Sequence, residues 1–127
     1  MPPRPEVVTC ETRKPLTGCG EMVVRVGIVD DKPYEVFINL GKGGVCAYAI
    51  SETLGKSLSY ELQSGGSIFR IVKRLRRVGC PETLRKDDET INTSCFDAVG
   101  MVLQNYLTEK DIEHLNRYLD KRRNRRD

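Results

Sequence analysis

The sequence predicts an α+β fold in which a small antiparallel sheet precedes three or four helices. Between residues 22 and 40, apolar residues alternate along two segments joined by a short polar turn, which indicates a β-hairpin. From residue 47 onward, apolar residues recur every three or four positions, which is the period of an amphipathic helix. A chain of 127 residues suits one domain, with the helices covering one face of the sheet.

The strands are predicted within the first 40 residues. Residues 1–18 contain four prolines and little alternation, so we expect an extended lead-in. The first strand is predicted over 22–28, where β-branched residues alternate, and the second over 34–40. Residues 30–33, Asp-Asp-Lys-Pro, have the composition of a turn and join the two strands.

Two helices are predicted in the middle of the chain. The first follows Gly44 and ends near Gly65, with an apolar stripe expected to face the core: Ala47, Ile50, Leu54, Leu58 and Leu62. The second begins at Ile68 and is closed by Gly79, with Ile68, Ile71, Val72, Leu75 and Val78 facing inward. Residues 81–93 are polar, and we expect a loop there.

Two segments with the form of a capping box predict the starts of the last helices. Ser94 is followed three residues later by Asp97, and Thr108 is followed by Asp111. The apolar residues of these helices are Phe96, Val99, Leu103, Tyr106 and Leu107 in one and Ile112, Leu115 and Leu119 in the other. The last helix runs into a basic tail.

Composition and charge narrow the class of protein. Hydrophobic residues make up 39% and charged residues 31%, and no apolar run is long enough to span a membrane. The N-terminus lacks the apolar stretch of a secretory signal, so we expect a cytoplasmic protein with reduced cysteines. The net charge is +3, but residues 117–127 alone carry +4, so the body of the chain is near neutral.

Four of the five cysteines lie at the predicted boundaries of strands and helices, next to Gly or Pro: Cys19, Cys46, Cys80 and Cys95. A backbone that turns sharply there allows thiolates to point at a shared centre. Structural zinc is held by four such ligands in a closed tetrahedron. The pattern alone leaves two alternatives open, namely small buried side chains and a redox role, although the chain has no C-x-x-C pair.

Several motifs in order resemble those of the TSCPD domain. This domain is a C-terminal appendage of many adenosylcobalamin-dependent (class II) ribonucleotide reductases and also occurs in stand-alone small proteins. The matching motifs are Thr17-Gly18-Cys19-Gly20, the strand 33–38, the glycine-rich segment 41–46, the helix segment 54–59, Gly79-Cys80-Pro81 and Thr93-Ser94-Cys95-Phe96-Asp97-Ala98. The resemblance runs from about residue 17 to residue 107.

The resemblance implies a four-cysteine zinc site in a domain that covers 1–107, with Cys19, Cys46, Cys80 and Cys95 as ligands of Zn²⁺. Cys10 falls outside the family pattern, so it is either spare or a substitute ligand. Phe96 replaces the proline of the motif, which changes packing rather than a ligand. Residues 108–127, an extra helix with the basic tail, are expected to be an addition to the family core.

Basic residues are the candidates for contact with phosphate, and a solvated basic face is the alternative. They are Lys42, Arg70, Lys73, Arg74, Arg77, Lys121, Arg122 and Arg123. Lys42 belongs to a Gly-rich turn that can cradle a phosphate, although a plain turn is favoured there. No aromatic residue interleaves with these charges along the sequence, so base stacking is not expected.

These observations predict a non-catalytic, zinc-stabilised binding module. His114 is the only histidine and is expected on the surface, and no catalytic constellation can be assembled. The expected ligand is nucleic acid or a nucleotide, in the context of DNA or deoxynucleotide metabolism. The alternatives are a regulatory or protein-interaction subunit that acts on a ribonucleotide reductase or another enzyme, and a thiol-redox protein. A homodimer is possible for so small a domain, and no membrane partner is expected.

Overall fold

A computed structural model describes residues 3–18, 20–41, 44–79, 84–86 and 89–126; side chains are described for these except residues 44–47, 85, 86, 89, 90 and 122–126. Its elements confirm an α+β fold with an antiparallel sheet and four helices. The strands are β1 (Thr9–Arg13), β2 (Leu16–Thr17), β3 (Gly20–Val29), β4 (Lys32–Leu40), β5 (Leu84–Lys86) and β6 (Glu89–Asn92). The helices are α1 (Gly44–Gln63), α2 (Ile68–Leu75), α3 (Cys95–Leu103) and α4 (Glu109–Arg126), with a 3₁₀ turn at Gln104–Tyr106.

The central strand of the main sheet is β3. It pairs antiparallel with β4 on one side, where Val24 lies opposite Ile38 and Val26 opposite Val36. On its other side, β1 and β2 pair with successive parts of β3. The predicted hairpin is therefore confirmed, and each of its strands is longer than the alternation indicated.

The turn of this hairpin is built from two residues in the left-handed region. Asp30 has φ 53° and Asp31 has φ 63°. Two consecutive positive φ angles match the twist of the flanking strands, and Asp tolerates this conformation better than most residues. The turn predicted from the polar segment 30–33 is thus observed.

The expectation of a loop was wrong, and the extended lead-in is paired with the sheet. Residues 84–86 and 89–92 of the expected loop pair as β5 and β6, and residues 9–13 and 16–17 of the lead-in form β1 and β2. The strand β1 is exposed along most of its length, so it has no apolar alternation to reveal it. Hydrogen bonds to β3, rather than burial, hold it in place.

The second helix is also shorter than predicted, because α2 ends at Leu75 instead of near Gly79. Arg77 has φ 63°, and its N–H donates to the Asp97 carboxylate at 2.6 Å rather than continuing the helix. The side chains of Ile71, Val72 and Leu75 are buried, as the apolar stripe predicted.

The core lies between the sheet and the helices. Its buried side chains come from β3 and β4 (Met22, Val24, Val26, Val36, Ile38, Leu40), α1 (Leu58, Leu62), α2 (Ile71, Val72, Leu75), α3 (Ala98, Val99, Val102, Leu103), the residue after the 3₁₀ turn (Leu107) and α4 (Leu115, Leu119). The extra helix predicted after residue 107 therefore contributes buried side chains to the hydrophobic core. Ile50, predicted to face inward, is half exposed near the start of α1.

Helix α1 covers the outer edge of β4. The Ser59 Oγ accepts a hydrogen bond from the Val36 N–H at 2.8 Å and donates to the Val36 carbonyl at 3.1 Å. Gly55 permits this approach, since a Cβ there would lie 3.0 Å from the same carbonyl oxygen. The polar groups of Val36 on this edge are therefore satisfied by a side chain of α1 instead of by a further strand.

Among the helices in the described ranges, none combines the length and the apolar composition needed to cross a bilayer.

Candidate cysteine centre and basic groove

Hydrogen bonds connect the start of α3 to the residues that follow α2. The Ser94 Oγ accepts a hydrogen bond from the Asp97 N–H at 3.0 Å, so Ser94 is the N-cap, as predicted. The hydroxyl of Thr93 donates to the Val78 carbonyl at 2.9 Å. Residues two positions before Cys95 and two positions before Cys80 are therefore in direct contact.

Asp97 completes this connection. Its carboxylate, which is 3% exposed, accepts hydrogen bonds from the Thr93 N–H at 3.0 Å, the Arg77 N–H at 2.6 Å and the Arg76 Nε at 2.9 Å. In a simple capping box the acid would reach back to the N–H of the N-cap residue. Here it bonds one residue earlier and to a second segment, so the motif joins α2 to α3.

Cys95 is half-buried at the first position of α3. It lines a cavity of about 120 Å³ together with Met22 at the start of β3 and Leu40 at the end of β4. Ile50, in the second turn of α1, lines the same cavity. A hydrogen bond from the Gly41 N–H to the Glu21 carbonyl at 3.1 Å holds the same ends of β3 and β4 together.

The other predicted zinc ligands are Cys19, Cys46 and Cys80. Cys19 and Cys80 lie outside the described residues, as does the side chain of Cys46. Within the described part of the chain, no three His, Cys, Asp or Glu side chains form a cluster able to hold a metal ion. Cys10, the second residue of β1, is exposed and pairs with Gly27, away from the cavity that Cys95 lines.

The predicted phosphate-binding residues have different surroundings. Arg74 forms an ion pair with Glu61 at 2.5 Å, and the Arg77 guanidinium donates to the Leu119 carbonyl at 3.2 Å. Arg70 is exposed on α2. Lys73 and Lys121 line one groove between α2 and α4. Lys42 and the side chains of Arg122 and Arg123 lie outside what the structure describes.

We call this groove, with a volume of about 300 Å³, the α2–α4 groove. It is lined by Phe69, Lys73, His114, Arg117, Tyr118 and Lys121. The lining side chains in the described ranges include three cations and no carboxylate. Arg117 also lies 3.8 Å from Glu113 on the exposed side of α4, a separation at which the pair contributes little.

Aromatic rings lie among these charges, which the linear sequence did not indicate. The Phe69 and His114 rings have centroids 6.1 Å apart and an interplanar angle of 32°. The Lys73 ammonium lies 4.4 Å from the centroid of the Tyr118 ring, within the range of a cation–π contact. His114 is exposed, as predicted.

Sequence reasoning missed four residues of the groove: Phe69, His114, Arg117 and Tyr118. The signal was helical spacing, because residues 114, 117, 118 and 121 share one face of α4 and residues 69 and 73 share one face of α2. What the spacing does not show is that these two faces meet.

No curated protein and no solved structure matches the chain. The family model of the TSCPD domain matches residues 1–107 of the 127, which include the Cys95 cavity and α2 but not α4. The sequence motifs and this match agree, and the chain belongs to the TSCPD domain family.

Proposed function

We propose that this chain is a non-catalytic, zinc-stabilised module that binds the phosphate backbone of nucleic acid in the α2–α4 groove. The observation that carries the proposal is the groove itself, where three cationic side chains converge without a carboxylate among the described lining residues. Lys73 and Lys121 were predicted as phosphate ligands, and Arg117 joins them. Cations grouped in this way attract a polyanion and release its counterions on binding.

The zinc part of the proposal is supported by the described neighbours of the four cysteines. Met22 is three residues after Cys19, Ile50 is four residues after Cys46, and both line the cavity of Cys95. Val78, two residues before Cys80, accepts the hydrogen bond from Thr93. Cys19, Cys46, Cys80 and Cys95 would then hold the ion.

The position of Cys95 suits a metal-binding thiolate. It is the first residue of α3, where the positive end of the helix dipole favours the charged form of a thiol. Bound zinc would supply a structural link between the hairpin and the helices, which is the role of closed four-cysteine sites.

The salt dependence of binding tests the nucleic-acid function. With three cations in contact with a single strand, we expect log Kd to change with log salt concentration with a slope of about 2. Lys73→Gln and Lys121→Gln should each lower this slope by about 0.7. Lys32→Gln makes the same charge change at the first residue of β4 and should leave the slope unchanged. Affinity for DNA that does not depend on salt would contradict the proposal.

Elemental analysis of the purified protein tests the metal. We expect one zinc ion per chain, with loss of zinc in Cys19→Ser, Cys46→Ser, Cys80→Ser and Cys95→Ser. Cys10→Ser is the matched control and should keep the ion, because Cys10 pairs with Gly27 and does not line the Cys95 cavity. Full zinc content in all four variants, or no zinc in the parent protein, would refute a four-cysteine site.

A protein-interaction function is the second candidate, and one surface favours it. Phe37, Tyr48 and Tyr60 are 45%, 51% and 76% exposed, and they surround one cavity of about 550 Å³ between β4 and α1. Exposed rings are typical of the centres of protein interfaces. Loss of a partner in Tyr48→Ala and Tyr60→Ala, but not in Lys73→Gln, would favour this second function.

A further inference from the structure

We infer that the α2–α4 groove holds one unpaired nucleotide of a single strand, with the phosphate against the cations and the base against the aromatic rings. This inference rests on the proposed nucleic-acid function and specifies its ligand. It reverses the expectation that base stacking is absent, because the rings and the charges are adjacent in space although not along the sequence.

The first support is the arrangement of rings. Phe69 is partly buried against the core, and its ring contacts that of His114, which is exposed. The inner ring thereby supports the outer one, and the outer one is open to a ligand. Base–aromatic stacking of this kind tolerates any base, since every base has a π-face.

The second support is the position of the charges relative to the rings. Lys73 lies over Tyr118, and Lys121 lies three residues further along α4 in the same groove. Arg117 precedes Tyr118 and lines the groove as well. Cations on both helices flank the rings, as a nucleotide requires if its base stacks while its phosphate is neutralised.

The third support is size. A volume of about 300 Å³ lies at the lower end of small-molecule sites, which range from roughly 300 to 1,000 Å³. A double helix keeps its bases stacked inside and offers this groove only phosphates. The groove therefore favours a single strand or an unpaired end over a duplex.

The test compares three labelled probes by fluorescence anisotropy at one salt concentration: a thymidine 12-mer, a 12-mer of the same backbone with abasic sites, and a duplex of the same length. We expect the base-bearing strand to bind about 10-fold more tightly than the abasic strand, since a stacked base contributes at that level. His114→Ala should abolish this preference, and His114→Phe should retain it. Asn116→Ala, an exposed change on the same helix, is the matched control.

The outcomes separate the inference from the function on which it rests. Equal affinity for the base-bearing and abasic strands, or an unchanged preference in His114→Ala, would overturn the inference while leaving phosphate binding intact. Tighter binding of the duplex than of the thymidine strand would overturn it as well. Failure of all three probes to bind would remove the proposed function itself.

Discussion

The Arg76 guanidinium donates from Nε to the Asp97 carboxylate at 2.9 Å, and both side chains are largely buried, at 15% and 3% exposure. The two residues are 21 positions apart and lie on either side of the segment 77–96. Asp97 also receives the N–H groups of Arg77 and Thr93. One buried carboxylate therefore fixes the residues that follow α2 against the start of α3, which carries Cys95.

Asp97→Asn tests this relationship. The substitution leaves Arg76 without its counter-ion and turns one accepting oxygen into an amide donor. Removing one partner of a buried ion pair costs about 3–5 kcal/mol, so we expect a loss of about 3 kcal/mol in the free energy of unfolding. Urea denaturation measures it. Asp120→Asn, an exposed change on α4, should cost less than about 0.5 kcal/mol; equal losses in the two variants would contradict the role assigned to Asp97.

Metal removal is expected to destabilise the fold. If zinc joins the four cysteines, a strong chelator should lower the thermal unfolding midpoint by more than about 10 °C, because binding of zinc to the folded state contributes directly to stability. Cys95→Ser should already have the lower midpoint and should not respond to chelator. The Cys10→Ser variant should respond like the parent protein, and a parent midpoint insensitive to the chelator would oppose a structural zinc.

Gly55→Ala tests how closely α1 approaches β4, because the approach decides whether the substitution raises or lowers the free energy of unfolding. In an exposed helix, Gly→Ala stabilises by about 1 kcal/mol. A Cβ at Gly55 would instead lie 3.0 Å from the Val36 carbonyl oxygen and 3.3 Å from the Ile38 nitrogen, both in the backbone of β4. We expect Gly55→Ala to lower the free energy of unfolding by about 1–2 kcal/mol, since overpacking outweighs propensity.

The control for this prediction lies two residues along the same helix. Ser57 is exposed, so Ser57→Ala should raise stability by about 0.5 kcal/mol through propensity alone. Thermal denaturation of both variants measures the difference. A stabilising Gly55→Ala would show that α1 does not approach the edge of β4 as closely as described.

The sequence predicted the strands and helices in which buried apolar residues recur at the regular spacing of that element. Val24, Val26, Val36 and Ile38 alternate because one face of the sheet is covered, and the hairpin follows from that. Strand β1 is exposed on both faces, so its residues Thr9 to Arg13 leave no such pattern. Its position depends on β3, and only the folded sheet reveals it.

The candidate site also contains some contacts that were predicted from the sequence and others that were not. Ser94 as an N-cap was predicted because the interaction is local. The contact between Asp97 and Arg76 was not predicted, because it depends on how α2 packs against α3. In the groove, the spacing of His114 and Lys121 is visible on one helix, but the approach of Phe69 to His114 crosses 45 positions of sequence. Contacts between side chains on two different helices depend on tertiary packing, which the spacing along one helix does not show.

The Tyr106 hydroxyl connects the 3₁₀ turn to β1 and predicts a pH dependence. It donates to the Glu11 carboxylate at 2.6 Å and accepts from the Arg13 guanidinium at 2.7 Å. Burial, followed by the hydrogen bond to Glu11, raises the pKa of Tyr106 above its usual 10.0. The folded protein therefore holds this proton more tightly than the unfolded chain does. The stabilisation is complete below pH 10 and falls as the pH rises above it.

Tyr106→Phe removes this titration together with both hydrogen bonds. We expect the parent protein to be more stable than the variant by about 1 kcal/mol at pH 8, and the difference to narrow as the pH rises above 10. Urea denaturation of both proteins between pH 8 and pH 11 gives the two curves. Tyr60→Phe serves as the control, because Tyr60 is 76% exposed and its substitution should give a difference close to zero at pH 8. A stability difference for Tyr106→Phe that stays constant across this range would contradict the prediction. It would mean that the phenol does not hold its proton more tightly in the folded state, and that the contact with Glu11 does not raise the pKa of Tyr106.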